Sequence, residues 1–228
     1  MNNKCAVVVG GGHAGVESAY ALSRLGIKTY LITMDSMATG RMSCNPAIGG
    51  LGKGHLVKEI DALGGIMGVA ADKAGIQFKI LNKSKGRAVW SPRAQIDKKQ
   101  YSAFIQHFIS KQKNINIVED EVVDFNVNNC SVTSVILRSG TTLKTNALIV
   151  CGGTFMNGII HIGNEKYSAG RVGERASKNL TNSLLNKGFV MSRLKTGTPP
   201  RLLSSSINFS KMNIASGDIN PHPFSILS

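Results

Sequence analysis

Hydrophobic residues follow two different rhythms along this chain. Residues 5–9 form a short apolar, β-branched run, the pattern of a strand buried on both faces. The run stops at Gly10-Gly11-Gly12-His13-Ala14-Gly15. After it Val16, Ala19, Tyr20, Leu22 and Leu25 recur at helical spacing as far as Gly26, a residue suited to closing a helix. A second apolar run, residues 27–33, begins at once. Strand, glycine turn, helix and strand make a βαβ unit, which predicts parallel strands joined by a right-handed crossover. Residues 36–75 read as helical stretches interrupted by glycines, among them Gly49, Gly50, Gly52 and Gly54, and residues 95–110 read as a helix. The rhythm then turns to β-rich pieces at 115–118, 122–127, 132–138 and 142–145. Asn128-Asn129 and Ser139-Gly140 supply the turns of a meander. Residues 147–150 are one more apolar run, stopping at Cys151-Gly152-Gly153.

The loop Gly10-x-Gly12-x-x-Gly15 is weak as a bare pattern, but its position between a strand and a helix is the one that phosphate binding requires. The first glycine permits the tight turn, the second lets main chain approach a pyrophosphate, and the third lets helix pack on strand. Gly10, Gly11, Gly12, His13, Ala14 and Gly15 are therefore candidate cofactor contacts, with His13 a spacer rather than a catalyst. An acid at the end of the second strand would hold a ribose hydroxyl. Asp35 is the nearest candidate, and capping a turn is its equal alternative.

Composition adds a constraint. Lys and Arg total 27 against 13 Asp and Glu, a formal charge of +14, which favours an anionic partner. Much of the excess gathers at Lys79, Lys83, Lys85, Arg87, Arg93, Lys98 and Lys99, around the single tryptophan Trp90 and the single acid Asp97. Phosphate neutralisation plus stacking would use that combination, and so would a solvated basic loop. The four cysteines, Cys5, Cys44, Cys130 and Cys151, have neither the paired spacing nor the histidines of a zinc site. No metal is expected. A reduced, cytoplasmic protein without a membrane span fits this usage.

A meander followed by a returning apolar strand resembles the glutathione-reductase-type flavoproteins, which favours FAD over NAD in the glycine loop. The expected fold class is α/β, a Rossmann-like FAD-binding domain with a β-meander. A more specific resemblance lies in Arg41-Met42-Ser43-Cys44-Asn45-Pro46-Ala47-Ile48-Gly49-Gly50, continuing through Lys53-Gly54-His55-Leu56-Val57-Lys58-Glu59. Further matches are Ala74-Gly75-Ile76-Gln77-Phe78, Gly153-Thr154-Phe155, His161-Ile162-Gly163 and Lys195-Thr196-Gly197-Thr198-Pro199-Pro200-Arg201. These segments are similar to those of the MnmG (GidA) family.

The resemblance implies an FAD enzyme that works with the GTPase MnmE. The family installs an aminomethyl or carboxymethylaminomethyl group on carbon 5 of the tRNA wobble uridine. It draws on methylene-tetrahydrofolate, glycine or ammonium, and NADH, and forms homodimers. It also implies flavin contacts at Val122 and Ser177, whose plain readings are a strand-core valine and a helix-start serine. Cys44 becomes the candidate nucleophile. Ser43 and Asn45 keep it polar, and Lys53 with the glycine amides favours the thiolate, whereas an inert buried thiol is the plain reading. Lys83, Lys85 and Arg87 become candidate tRNA contacts, and Lys195 and Arg201, flanking the Thr-Gly-Thr-Pro-Pro turn, are candidates to hold a substrate or cofactor carboxylate, although a rigid structural turn would use the same residues. Members of the family run on past residue 228, with a later flavin segment, a second functional cysteine and a helical carboxy-terminal region. Residues 1–204 are accordingly expected to be an incomplete flavin domain and residues 205–228 the start of an inserted one. Two other readings share the glycine loop: a small-molecule FAD or NAD oxidoreductase, and a nucleotide-binding fragment without turnover.

Overall fold

The computed structural model describes all of the 228 residues except 1–3, 44 and 198. In chain order its strands and helices are β1 (Cys5–Val9), α1 (His13–Arg24), β2 (Lys28–Thr33), β3 (Ala47–Gly49), α2 (Gly54–Ala62), α3 (Met67–Ala74), β4 (Gly75–Leu81), β5 (Ser91–Ile96), α4 (Lys98–Ser110), β6 (Ile115–Glu119), β7 (Val122–Asn128), β8 (Ser131–Leu137), β9 (Thr142–Lys144), β10 (Ala147–Val150), β11 (Ile159–Ile162), β12 (Glu165–Ser168) and α5 (Asn179–Asn186). They form two compact units, residues 1–41 with 102–192, and residues 42–101 with 193–228.

The first unit is built on a parallel sheet in the order β10-β1-β2-β6. Ala6, Val7 and Val8 are each no more than 1% exposed, as a central strand covered on both faces demands. Because side chains alternate across a strand, Val7, Val9, Tyr30 and Ile32 share one face. There they pack with Val122, Phe125, Val135 and Leu137 of the meander and with Leu180 and Leu184 of α5. Val8 lies on the other face, beneath α1, where a Cβ added to Gly15 would meet its Cγ1 at 3.6 Å. Each large side chain so buried contributes about 1.5–3 kcal/mol. Tyr20 of α1 meets Phe108 of α4 edge-to-face, ring centroids 4.9 Å apart.

The meander forms as expected from β7, β8 and β9, with two departures. Residues 115–119 join the parallel sheet beside β2 and are not a piece of the meander, because Ile117 and Val118 pair in register with Leu31 and Ile32. The first hairpin turns at Asn129 and Cys130, φ +47° and +58°, one residue later than expected. Two successive left-handed residues are what a two-residue turn of this hand requires.

The second unit has a three-stranded antiparallel sheet, β3-β5-β4, with α2 and α3. The helix expected over 95–110 starts only at Lys98, since Ala94 and Ile96 alternate inward as part of β5. Asp97 makes the switch: its Oδ1 accepts the amides of Lys99 at 2.9 Å and Gln100 at 3.0 Å, a side-chain N-cap. Among the described residues no helix is long and apolar enough to cross a membrane.

Candidate functional site

In the first unit the carboxyl ends of the parallel strands open onto a cavity of about 420 Å³. Chain order reverses there: from the centre of the sheet β1 is followed by β2 on one side and flanked by β10 on the other, the place where open α/β sheets bind ligands. Its walls are the loop Gly10 to Gly12, the end of β2 as far as Asp35, the β6–β7 junction from Asp120 to Val122, the turn from Cys151 to Met156, and the approach to α5 including Ser177.

The glycine loop has the geometry of a phosphate cradle. Gly10 has φ +103° and donates its amide to the carbonyl of Ile32 at 2.8 Å. A side chain there would also collide with the carbonyl of Cys151. Gly15 is packed against the carbonyl oxygen of Gly10, leaving no room for a Cβ. At Gly12, the exposed N-cap of α1, a Cβ would meet nothing within 4 Å. The second glycine is therefore open on the ligand side while the first and third are pinned by packing. The amides of Ala14 and Gly15, in the first turn, have no acceptor within the helix.

Ion pairs and a buried carboxylate frame the rim. Asp35 accepts the amide of Met37 at 2.9 Å and pairs with Arg41 at 3.1 Å; Arg41 also reaches Glu174 at 2.7 Å. Glu121, 7% exposed, accepts a hydrogen bond from the hydroxyl of Ser177 at 2.9 Å and pairs with Arg138 at 2.9 Å. The Ser177 amide donates to Phe155 at 2.8 Å, and its carbonyl accepts from Asn157 at 2.7 Å. Ser177 thus ties three walls together and does not cap α5. Burial, aided by the charge of Arg171, lowers the His13 pKa and so favours the neutral imidazole. Burial pushes Asp120 up, but hydrogen bonds from Ser139 and the Glu121 amide, with Arg138 nearby, leave its carboxyl below the usual range.

Comparison with known proteins places this geometry. Residues 5–228 match the family described as Glucose inhibited division protein A. The chain belongs to the GidA family. It is 52% identical over 219 residues to the tRNA uridine 5-carboxymethylaminomethyl modification enzyme MnmG of Campylobacter hominis, an alignment covering 96% of this chain and 34% of that protein. To the protein of the same name from Aquifex aeolicus it is 49% identical over 219 residues, 96% of this chain and 36% of the relative. Crystalline Aquifex aeolicus GidA superposes with a TM-score of 0.94 at 47% identity, covering all of this chain and 38% of that one. The GidA-related protein from Thermus thermophilus shares the fold, with a TM-score of 0.58 at 17% identity over 82% of this chain and 70% of its own. The chain therefore spans about a third of the length of the curated relatives it matches.

Of the cofactor contacts expected from sequence, the cavity gathers Gly10, Gly11 and Gly12 of the loop, Val122 and Ser177 from the family resemblance, and Asp35, read from its place after the second strand. His13, Ala14 and Gly15 follow as the first turn of α1. Asp35 caps a turn, one of the two readings weighed for it, and also lines the cavity. Cys44 lies outside the described residues. The remaining candidates belong to the second unit. Residues 83–90 are all exposed; there Lys83 pairs with Asp218 at 2.9 Å, and the Arg87 guanidinium lies 5.8 Å from the centroid of the Trp90 ring. Asp218 is thus a second acid beside a stretch that shows only Asp97 in sequence. Lys195 and Arg201 are exposed in irregular chain. Sequence reasoning gave no role to Arg41, although it opens the family segment, and missed Glu121, Arg171 and Glu174, which carry no local motif.

Proposed function

We propose that this chain is the FAD-binding portion of a flavin-dependent enzyme that modifies the wobble uridine of tRNA at carbon 5. The observation that carries the reading is the cavity, which brings the glycine loop together with Val122 and Ser177 in a chain of the GidA family. The residues present fit the cofactor. A pyrophosphate would lie against Gly12 and the start of α1, where a Cβ would meet nothing within 4 Å, and the helix N-terminus favours its charge. Asp35 would take a ribose hydroxyl on a remaining lone pair of its carboxylate, whose Oδ1 already accepts the Met37 amide and whose Oδ2 pairs with Arg41. Val122 supplies an apolar wall, and Ser177, its proton committed to Glu121, accepts and does not donate.

When bound, FAD would carry electrons between NADH and the one-carbon unit of methylene-tetrahydrofolate, with glycine or ammonium supplying nitrogen. Cys44 is proposed as the thiolate that adds to carbon 6 of the uracil, forming a carbon–sulfur bond and making carbon 5 nucleophilic, and that leaves when the carbon 5 proton is lost. Exposed Lys83, Lys85 and Arg87 beside Trp90 would meet tRNA phosphates, and Lys195 and Arg201 a substrate carboxylate. MnmE, a homodimeric state and a cytoplasmic setting belong to the same reading.

The test is a titration of the purified chain with FAD, followed by flavin fluorescence. Gly12→Val should lower the unfolding midpoint only slightly, since its Cβ meets no protein atom although valine is a poorer N-cap than glycine, and should abolish binding. Equal affinity in that variant would remove the loop from the cofactor site.

A further inference from the structure

In the second unit, residues 82–90 join β4 to β5 and are closed by the Leu81–Ser91 pair of that antiparallel ladder. Hairpin connections commonly need only about 2–5 residues, and the excess here is folded onto itself. Asn82 stands in the left-handed region, φ +60° and ψ +27°, and its carbonyl accepts the amide of Lys85 at 2.9 Å. Gly86, at φ +91° and ψ +158°, has a conformation that only glycine adopts without strain, and it links this turn to a second. There the carbonyl of Gly86 accepts from Val89 at 3.3 Å and that of Arg87 from Trp90 at 3.2 Å. Trp90 then ties the end of the loop to its beginning: its indole Nε1 donates to the carbonyl of Lys83 at 3.2 Å.

The ring is held in place and yet not buried. Trp90 is 40% exposed, and every residue from 83 to 90 is exposed. An indole N–H that water could satisfy gains little stability from an internal bond; what the bond does is hold the ring in one orientation. The Arg87 guanidinium lies 5.8 Å from the ring centroid, a cation of the kind that also stacks on flat rings. Charge within the loop is of one sign, with Lys83, Lys85 and Arg87 and no acid. Asp218 pairs with Lys83 at 2.9 Å, whereas among the described residues Lys85 and Arg87 have no ion pair. Two cations are left beside a fixed aromatic ring. A solvated loop accounts for the cations but not for the glycine-only backbone or the tethered indole. Duplex RNA would use the cations alone, because its bases are already stacked on one another; an unpaired base offers a π-face beside its phosphate.

We propose that the loop 82–90 is a binding site for single-stranded RNA, in which Trp90 stacks on an unpaired base while Lys85 and Arg87 meet the flanking phosphates. The proposal rests on the reading of tRNA as substrate and narrows it to an unpaired segment met by one aromatic ring. Fixing the ring before the ligand arrives lowers the ordering cost of binding.

Trp90 is the single tryptophan of the chain, so its intrinsic fluorescence reports the ring directly. Titration of the intact 228-residue chain with oligo(U) should quench that fluorescence, whereas an abasic ribose–phosphate oligomer of the same length should not. Anisotropy of labelled oligo(U) then compares variants. Trp90→Ala should weaken binding about tenfold with the slope of log affinity against log salt unchanged, because the slope counts phosphates. Trp90→Phe separates stacking from bracing, since it keeps a ring face and loses the donor to Lys83. Affinity close to that of the unaltered chain supports stacking; a loss as large as that of Trp90→Ala would show that the indole only braces the loop and would overturn the proposal. Equal quenching by the abasic oligomer, or undiminished oligo(U) affinity in Trp90→Ala, would overturn it as well. The phosphate contacts fail separately: a salt slope unchanged after Lys85 and Arg87 are both neutralised places them elsewhere and leaves the stacking result standing. A chain that binds neither oligo(U) nor tRNA overturns both.

Discussion

Gly15→Ala sets two effects of opposite sign against each other. Gly15 is inside α1 with φ in the ordinary helical range, so alanine should gain roughly 0.5–1 kcal/mol of helix propensity. Against this, the new Cβ falls on the carbonyl oxygen of Gly10, well inside contact distance, and within 3.0 Å of its carbon. Carbon and oxygen settle near about 3.3 Å, so the helix start must withdraw by about 1 Å or more from the loop. Overpacking of this kind costs about 1–3 kcal/mol, and with an overlap this deep, at the upper end of that range, the clash should win by up to about 2 kcal/mol. The same withdrawal pulls the first-turn amides from the place of a bound phosphate. Loss of even one charge-assisted hydrogen bond, about 1.5–3 kcal/mol, weakens FAD binding by about tenfold or more. Urea unfolding followed by circular dichroism and FAD titration of the same preparation measure both. A variant with a raised midpoint and unchanged FAD affinity would show that propensity wins, and would refute the close-packing role of the third glycine.

Three further outcomes follow from the structure. Glu121→Ala should destabilise the first unit by about 1–3 kcal/mol, because the buried Ser177 hydroxyl loses its acceptor and Arg138 its partner, whereas Glu121→Gln, which keeps an acceptor for Ser177, should cost less in the same urea assay. Hydrogen bonds from Lys187 and Ser183, opposed by partial burial, hold the Asp124 carboxyl below the usual range. Its stabilising contribution is therefore complete above the unfolded carboxylate value of about 3.9 and is lost as pH falls through the lower folded value; an acid unfolding profile should show that loss diminished in Lys187→Met. If the exposed basic stretch meets tRNA phosphates, neutralising Lys85 and Arg87 together should flatten the dependence of log affinity on log salt by about two. Neutralising Lys83, already paired with Asp218, should add less, and an unchanged slope would return the stretch to a solvated surface.

The parallel core of this protein was legible in its sequence because burial on both faces leaves a chemical trace that needs no distant partner. Residues 5–9 are apolar without alternation, and the glycines that follow are demanded by local backbone conformation and close approach. The meander was legible for a similar reason, since alternation of period two and turn residues are short-range signals. Asp97 decided where α4 begins by capping it with its own side chain, and that competes with a periodicity that alone suits a longer helix. The strand at 115–119 has the same local pattern as the meander pieces, and only its pairing with β2 assigns it to the parallel sheet. The cavity rim was out of reach for a deeper reason. Arg41 with Glu174 and Glu121 with Ser177 are separated by 133 and 56 residues. Nothing in the neighbourhood of an Arg or a Glu says which distant partner will neutralise it. Local propensity and burial periodicity determine which segments become strands and helices; the pairing of buried charges is determined by which of those segments the closed core brings within reach.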